Sequence, residues 1–115
     1  MGSNPITSFL FKMDIKELSK RIHKFQKERF LKYGKELTSE LIFMHLVEET
    51  GEISRQIFNK NSNMREYNEK NLKEEIAQYI LDLLVLSETN NLDLEKEIEN
   101  KIKNMENRWK PKKID

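Results

Sequence analysis

The sequence has no cysteine in its 115 residues. That excludes a disulfide-braced scaffold and a thiolate metal site, and it accords with a cytoplasmic protein. Glycine and proline are scarce, at three and two, and no glycine-rich phosphate loop or GxGxxG turn can be assembled from them. Long apolar runs are missing as well. The richest stretch, Ile76 to Leu86, is broken by Asp82, so no membrane span is expected. The N-terminus lacks the basic region and apolar segment of a secretory signal. Neither histidine, His23 or His45, has a glutamate three residues before it, which disfavours a carboxylate-bridged di-iron bundle built on Glu-x-x-His. There is no Ser/His/Asp pattern. A net charge of +1 gives no general pull toward nucleic acid.

What is present is charge, at 36% of residues, against a modest 37% hydrophobic content. That balance suits helices wet on one side, and oligomerisation is a natural way for so small a domain to gain buried area. Residues 1–13 read as an N-terminal extension or a cloning remnant, with Met13-Asp14 as an alternative start. Residues 14–110 form the helical domain and 111–115 a basic tail. Asp14 with Glu17 opens the first helix, which carries Ile15, Leu18, Ile22 and Phe25 at helical spacing and stops at Gly34. Thr38 or Ser39 caps a second helix to about Asn59. Gly51 inside it costs about 1 kcal/mol relative to Ala, which suggests close backbone packing there. The polar stretch Asn59 to Asn71 reads as a loop. Asn71 opens the third helix, which is apolar almost all round and so expected in a core. Asp93 caps the fourth helix, with Leu94, Ile98, Ile102, Met105 and Trp109 as its seam and Pro111 as its end. No segment has strand periodicity, so the fold class is all-α, a bundle of four helices.

The chemistry concentrates in Leu46-Val47-Glu48-Glu49-Thr50-Gly51-Glu52-Ile53. At about 100° per residue from Ile42, the residues Leu46, Ile53 and Ile57 form an apolar stripe. Glu49 falls inside that stripe, His45 and Glu52 lie on its flank, and Glu48 is further round. A carboxylate on the buried side of a helix is costly unless paired or metal-bound. The third helix repeats the theme, with Glu75, Gln78 and Asp82 at i, i+3 and i+7 on one face. Oxygen donors converging from two helices suit a hard divalent cation. The alternatives are a solvated face for the glutamates and, for Asp82, a simple partner such as Arg55 or Tyr79. His45 is either a packed side chain or a group that supports a ligand or substrate, and His23 is structural. Lys101, Lys103, Arg108 and Lys110 crowd the end of the last helix, either complementing its dipole or contacting phosphate.

These residues resemble the MazG-like branch of the all-α nucleoside triphosphate pyrophosphatases, whose pattern is E-x-x-E followed, after a spacer, by E-x-x-D. Glu49-x-x-Glu52 matches the first half, and Glu75-x-x-Gln78 the second except that Gln78 stands where the family has aspartate. The similarity extends through Leu83 to Asn91, Asp93-Leu94-Glu95 and Lys101 to Trp109, about residues 14 to 109 in all. The resemblance implies a four-helix MazG-like bundle completed by oligomerisation, as a homodimer or homotetramer. It also implies Mg²⁺-dependent cleavage, with Mn²⁺ as a possible substitute, between the α and β phosphates of a nucleotide, giving a monophosphate and pyrophosphate. Glu49, Glu52 and Glu75 would be metal ligands, with Asp82 supplying the carboxylate that Gln78 lacks. Glu48 or Glu49 would orient the attacking water or take its proton. Lys101, Arg108, His45 and Gln78 would contact substrate. Two rivals follow from Gln78 and from the high charge: a nucleotide sensor that binds without turnover, and a helical interaction protein whose acids merely pair with lysine or arginine.

Overall fold

The computed structural model describes residues 14–109; the expected N-terminal extension and basic tail lie outside them. Four helices follow in order: α1 Ile15–Lys32, α2 Ser39–Ser62, α3 Glu69–Thr89 and α4 Leu94–Arg108, with no strand among the described residues. The chain is all-α, as its periodicity predicts.

Short polar side chains start each helix by accepting a free first-turn N–H. Asp14 accepts from Lys16 N–H at 2.9 Å, and Thr38 Oγ1 accepts from Leu41 N–H at 3.3 Å. Asp93 accepts from Lys96 N–H at 3.2 Å. Just beyond α1, Gly34 takes φ 68, where a Cβ would be strained.

The connection between α2 and α3 differs from the expected one. α2 runs on to Ser62 and closes at Asn63, which adopts the left-handed conformation, and α3 is capped by Asn68 rather than Asn71. Two long-range bonds shorten the loop. Buried Asn59 donates through Nδ2 to the Glu66 carbonyl at 3.3 Å, and Gln56 Oε1 accepts the Asn68 N–H at 3.1 Å. Gly51 also departs from expectation: a Cβ there would meet nothing within 4 Å, so no close packing explains it.

α3 is the central helix and packs on both α2 and α1, while α4 meets the rest chiefly through α1. The core is small. Ile42, Leu46 and Val85 form its centre, with Ile22, Leu37, Tyr79 and Leu86 packed around them. Each buried side chain of this kind contributes about 2 kcal/mol. The remaining apolar residues divide by face. Leu84 is buried on α3, but Ile76, Ile80 and Leu83 are exposed, so α3 is not enclosed all round. Phe25 on α1 and Ile57 on α2 are likewise exposed. The α4 seam of Ile98, Ile102, Met105 and Trp109 is exposed, with Trp109 at 87%, and among the described residues α4 packs only lightly.

Candidate functional site

The inward acids of α2 and α3 open onto one cleft of about 450 Å³. α2 contributes His45 and Glu49, one turn apart, above Ile42. α3 contributes Glu75, Gln78 and Asp82 in the register that places i, i+3 and i+7 together. α1 closes the opposite wall with Gln26, Arg29 and Phe30. Glu52 is one turn beyond Glu49 and lines a smaller neighbouring recess of about 230 Å³ with Arg55, and Glu75 borders both.

Glu49, Glu52 and Glu75 present carboxylate oxygens that all lie within 4.8 Å of one another. Glu49 is only 6% exposed, as its place in the apolar stripe predicts. One oxygen of Glu49 and one of Glu75, Oε2 in each, are buried with no hydrogen-bond partner. Buried carboxylate oxygens require a donor or a cation. The electrostatics agree with that crowding. The close approach of the Glu49 carboxylate, together with burial and like charge, raises Glu75 above its usual range, and Glu75 in turn raises Glu52. A proton shared among the three, or a divalent cation, relieves such repulsion. An all-oxygen donor set from two helices fits magnesium or manganese.

Asp82 belongs to a second group. It is 4% exposed and both of its oxygens are engaged. Oδ1 accepts from Gln78 Nε2 at 2.8 Å, and Oδ2 lies 2.6 Å from His45 Nδ1. The partners named from sequence, Arg55 and Tyr79, are not the ones it uses. The other His45 nitrogen, Nε2, is 3.2 Å from Glu49 Oε1. Burial alone would lower the His45 pKa, but the Asp82 hydrogen bond and the surrounding carboxylates outweigh it and raise it.

Not every expected site residue comes to the cleft. Glu48 is exposed and outside its lining, although its charge reaches His45. Lys101 and Arg108 sit on α4 beside other surface depressions, and neither borders the acidic cleft of the single chain. The basic residue that does is Arg29, which bonds to Gln26 Oε1 at 3.5 Å and, among the described residues, forms no ion pair with the acids. Sequence reasoning missed it. The signal was the α1 stripe itself, since Ile22, Gln26, Arg29 and Phe30 recur at i, i+4, i+7 and i+8.

A family model, the MazG nucleotide pyrophosphohydrolase domain, matches residues 37–112. That span takes in α2, α3 and α4 and begins after α1. No curated protein and no solved structure matches the chain.

Proposed function

We propose, from the premise that this chain belongs to the MazG nucleotide pyrophosphohydrolase family, that it hydrolyses a nucleoside triphosphate between the α and β phosphates with a divalent cation, magnesium in the first instance. The carrying observation is the pair of buried, partnerless oxygens on Glu49 and Glu75, contributed by different helices and flanked by Glu52. These three carboxylates are assigned as the protein ligands. When bound, the cation supplies charge neutralisation for the triphosphate and Lewis-acid polarisation of its phosphoryl oxygens.

The chain's own residues divide the remaining work. Arg29 lines the cleft, has no acidic partner among the described residues, and offers a planar pair of donors to phosphate oxygens. Phe30, Leu37, Ile42 and Val85 give the cleft an apolar wall against which a nucleoside can lie. Of Glu48 and Glu49, the two acids expected to orient a water, Glu49 is the better candidate, because it borders the main cleft while Glu48 does not. Asp82, the fourth ligand expected from sequence, stands apart with both oxygens bonded. Glu48 is left to shape the local field. Lys101 and Arg108 contact substrate only if a second chain brings α4 to the cleft.

A homodimer or homotetramer is part of the proposal. Its support is the exposed apolar surface of Phe43, Met44 and Val47 on α2, Ile80 on α3, and Ile102 and Trp109 on α4. No helix among the described residues is long and apolar enough to cross a membrane, and a cytoplasmic nucleotide pool is the proposed setting.

The test is pyrophosphate release from a panel of ordinary and modified nucleoside triphosphates with Mg²⁺ or Mn²⁺. Release with one class of nucleotide supports the assignment and names the substrate. Binding without release favours the sensor, for which Gln78 at the family's aspartate position is the specific observation. Absence of both binding and release defeats both readings.

A further inference from the structure

Glu49 has two oxygens with opposite situations. Oε2 is buried without a partner, in the group with Glu52 and Glu75. Oε1 lies 3.2 Å from His45 Nε2. From that contact a continuous chain of side chains runs inward. His45 Nδ1 is 2.6 Å from Asp82 Oδ2, a short bond of the charge-assisted kind, and Asp82 Oδ1 accepts from Gln78 Nε2 at 2.8 Å. The chain crosses from α2 to α3 and back to the residue at the family's aspartate position.

We infer that Gln78, Asp82 and His45 are a hydrogen-bonded brace that fixes the rotamer of Glu49 and leaves its second oxygen free for a cation, which makes His45 a positioning residue. The inference rests on the cation site proposed above. Three features carry it. First, neither ring nitrogen of His45 is left for a ligand, since one faces Asp82 and the other Glu49. Second, Asp82 has no spare oxygen, so its buried charge is already answered by partners. Third, Gln78 and Asp82 are matched. An amide at position 78 can donate to Asp82, whereas an aspartate there would set a like charge one turn from it. The departure from the family pattern at Gln78 is thus coupled to the presence of Asp82 and His45. Groups that orient a metal ligand in this way typically change metal affinity by about 10- to 100-fold when removed.

The test is Mn²⁺ binding to the full chain without nucleotide, followed by calorimetry and by the paramagnetic signal of the free ion. The samples are wild type, His45→Phe, Asp82→Asn and Glu49→Gln. His45 has a side chain 47% exposed, so its replacement leaves the core intact. It decides the matter even if the buried Asp82 variant does not fold. Wild type is expected to bind, Glu49→Gln to lose binding, and His45→Phe to bind about tenfold more weakly or worse. With nucleotide present, the Mn²⁺ concentration for half-maximal turnover should rise for His45→Phe while kcat at saturating Mn²⁺ recovers to within about threefold of wild type. A His45→Phe protein that binds Mn²⁺ as wild type does overturns the brace and leaves the cation site standing. A kcat that stays depressed at saturation places His45 on the reacting atoms and also overturns it. Failure of wild type to bind the ion removes the cation site and the brace together.

Discussion

The acidic cleft between α2 and α3 and the apolar seam of α4 are both products of helical periodicity, and they end in opposite environments. Glu49 lies among Ile42 and Leu46 and is buried at 6% exposure, although it is charged. Trp109 ends a regular line of Ile98, Ile102 and Met105 and is exposed at 87%, although it is the largest apolar side chain present. Period alone decides which residues share a face. What covers that face depends on the neighbouring helix: α3 covers that of α2, whereas among the described residues α4 packs only lightly, chiefly on α1.

The largest effect that sharpens this contrast is chemical. Glu49→Gln keeps the shape of the side chain but removes the charge. Turnover should fall by more than about a hundredfold, beyond what loss of an orienting group causes, with the helical circular dichroism unchanged. Ile102→Ser on α4 should instead leave Mn²⁺ affinity intact and shift the oligomeric state, read by light scattering over a range of protein concentrations. If Ile102→Ser abolishes ion binding and Glu49→Gln does not, the two regions have been assigned the wrong way round.

Stability gives the second comparison. Leu46→Ala opens a cavity under the cleft, and a core leucine truncation costs about 2–5 kcal/mol. Ile102→Ala removes a half-exposed side chain and should cost well under about 1 kcal/mol in a dilute monomer. If the larger loss in urea titration appears for Ile102→Ala at high protein concentration, α4 is covered by another copy of the chain, since oligomers make apparent stability depend on concentration.

The third concerns α3. Asp82→Asn should lower turnover more than tenfold at subsaturating metal, because it removes the charge that His45 and Gln78 converge on. Gln78→Ala, which deletes one donor and leaves the His45 contact, should lower it much less. Steady-state kinetics with saturating nucleotide distinguishes them, and the reverse order would mean that the amide at 78 itself touches the ion.

The legible parts of the molecule were the local ones. Asp14, Thr38 and Asp93 announce their helices because a cap is a bond across two or three residues. Glu49 was readable as an inward acid because its own helix carries the apolar stripe that frames it. The end of α2 is harder to read, because the polar stretch from Asn59 looks like loop while Asn59 and Gln56 bond to residues 66 and 68 and the helix runs on to Ser62. The partners of Asp82 were unreadable for the same reason at longer range. His45 is 37 residues away, and no spacing rule links them. Arg29 escapes any reading of α1 that follows its apolar residues alone, and charge and resemblance point to Lys101 and Arg108 while carrying no information on how α4 packs.

The smallest expected effect tests the cleft without any catalysis. Glu75 and Glu52 are held above their ordinary 4.5, with the mutual Glu49–Glu75 and Glu75–Glu52 interactions first among the causes. His45 is likewise raised above 6.5. A group whose folded pKa is raised binds its proton more tightly in the folded state. Its stabilisation is therefore complete below the unfolded value and is lost as pH climbs through the folded one. All three groups act in that direction, so the metal-free chain should lose part of its stability between weakly acidic and neutral pH. A divalent cation replaces the proton at neutral pH and competes with it in acid. Mg²⁺ should then raise Tm by a few degrees near pH 8, about the size expected from roughly 1 kcal/mol, and by clearly less near pH 5. Glu75→Gln should reduce both the pH dependence and the Mg²⁺ increment, which separates the trio from the many surface acids. An equal Mg²⁺ increment at the two pH values, or one untouched by Glu75→Gln, would show that the ion acts elsewhere on the chain and that the crowding of these carboxylates has another remedy.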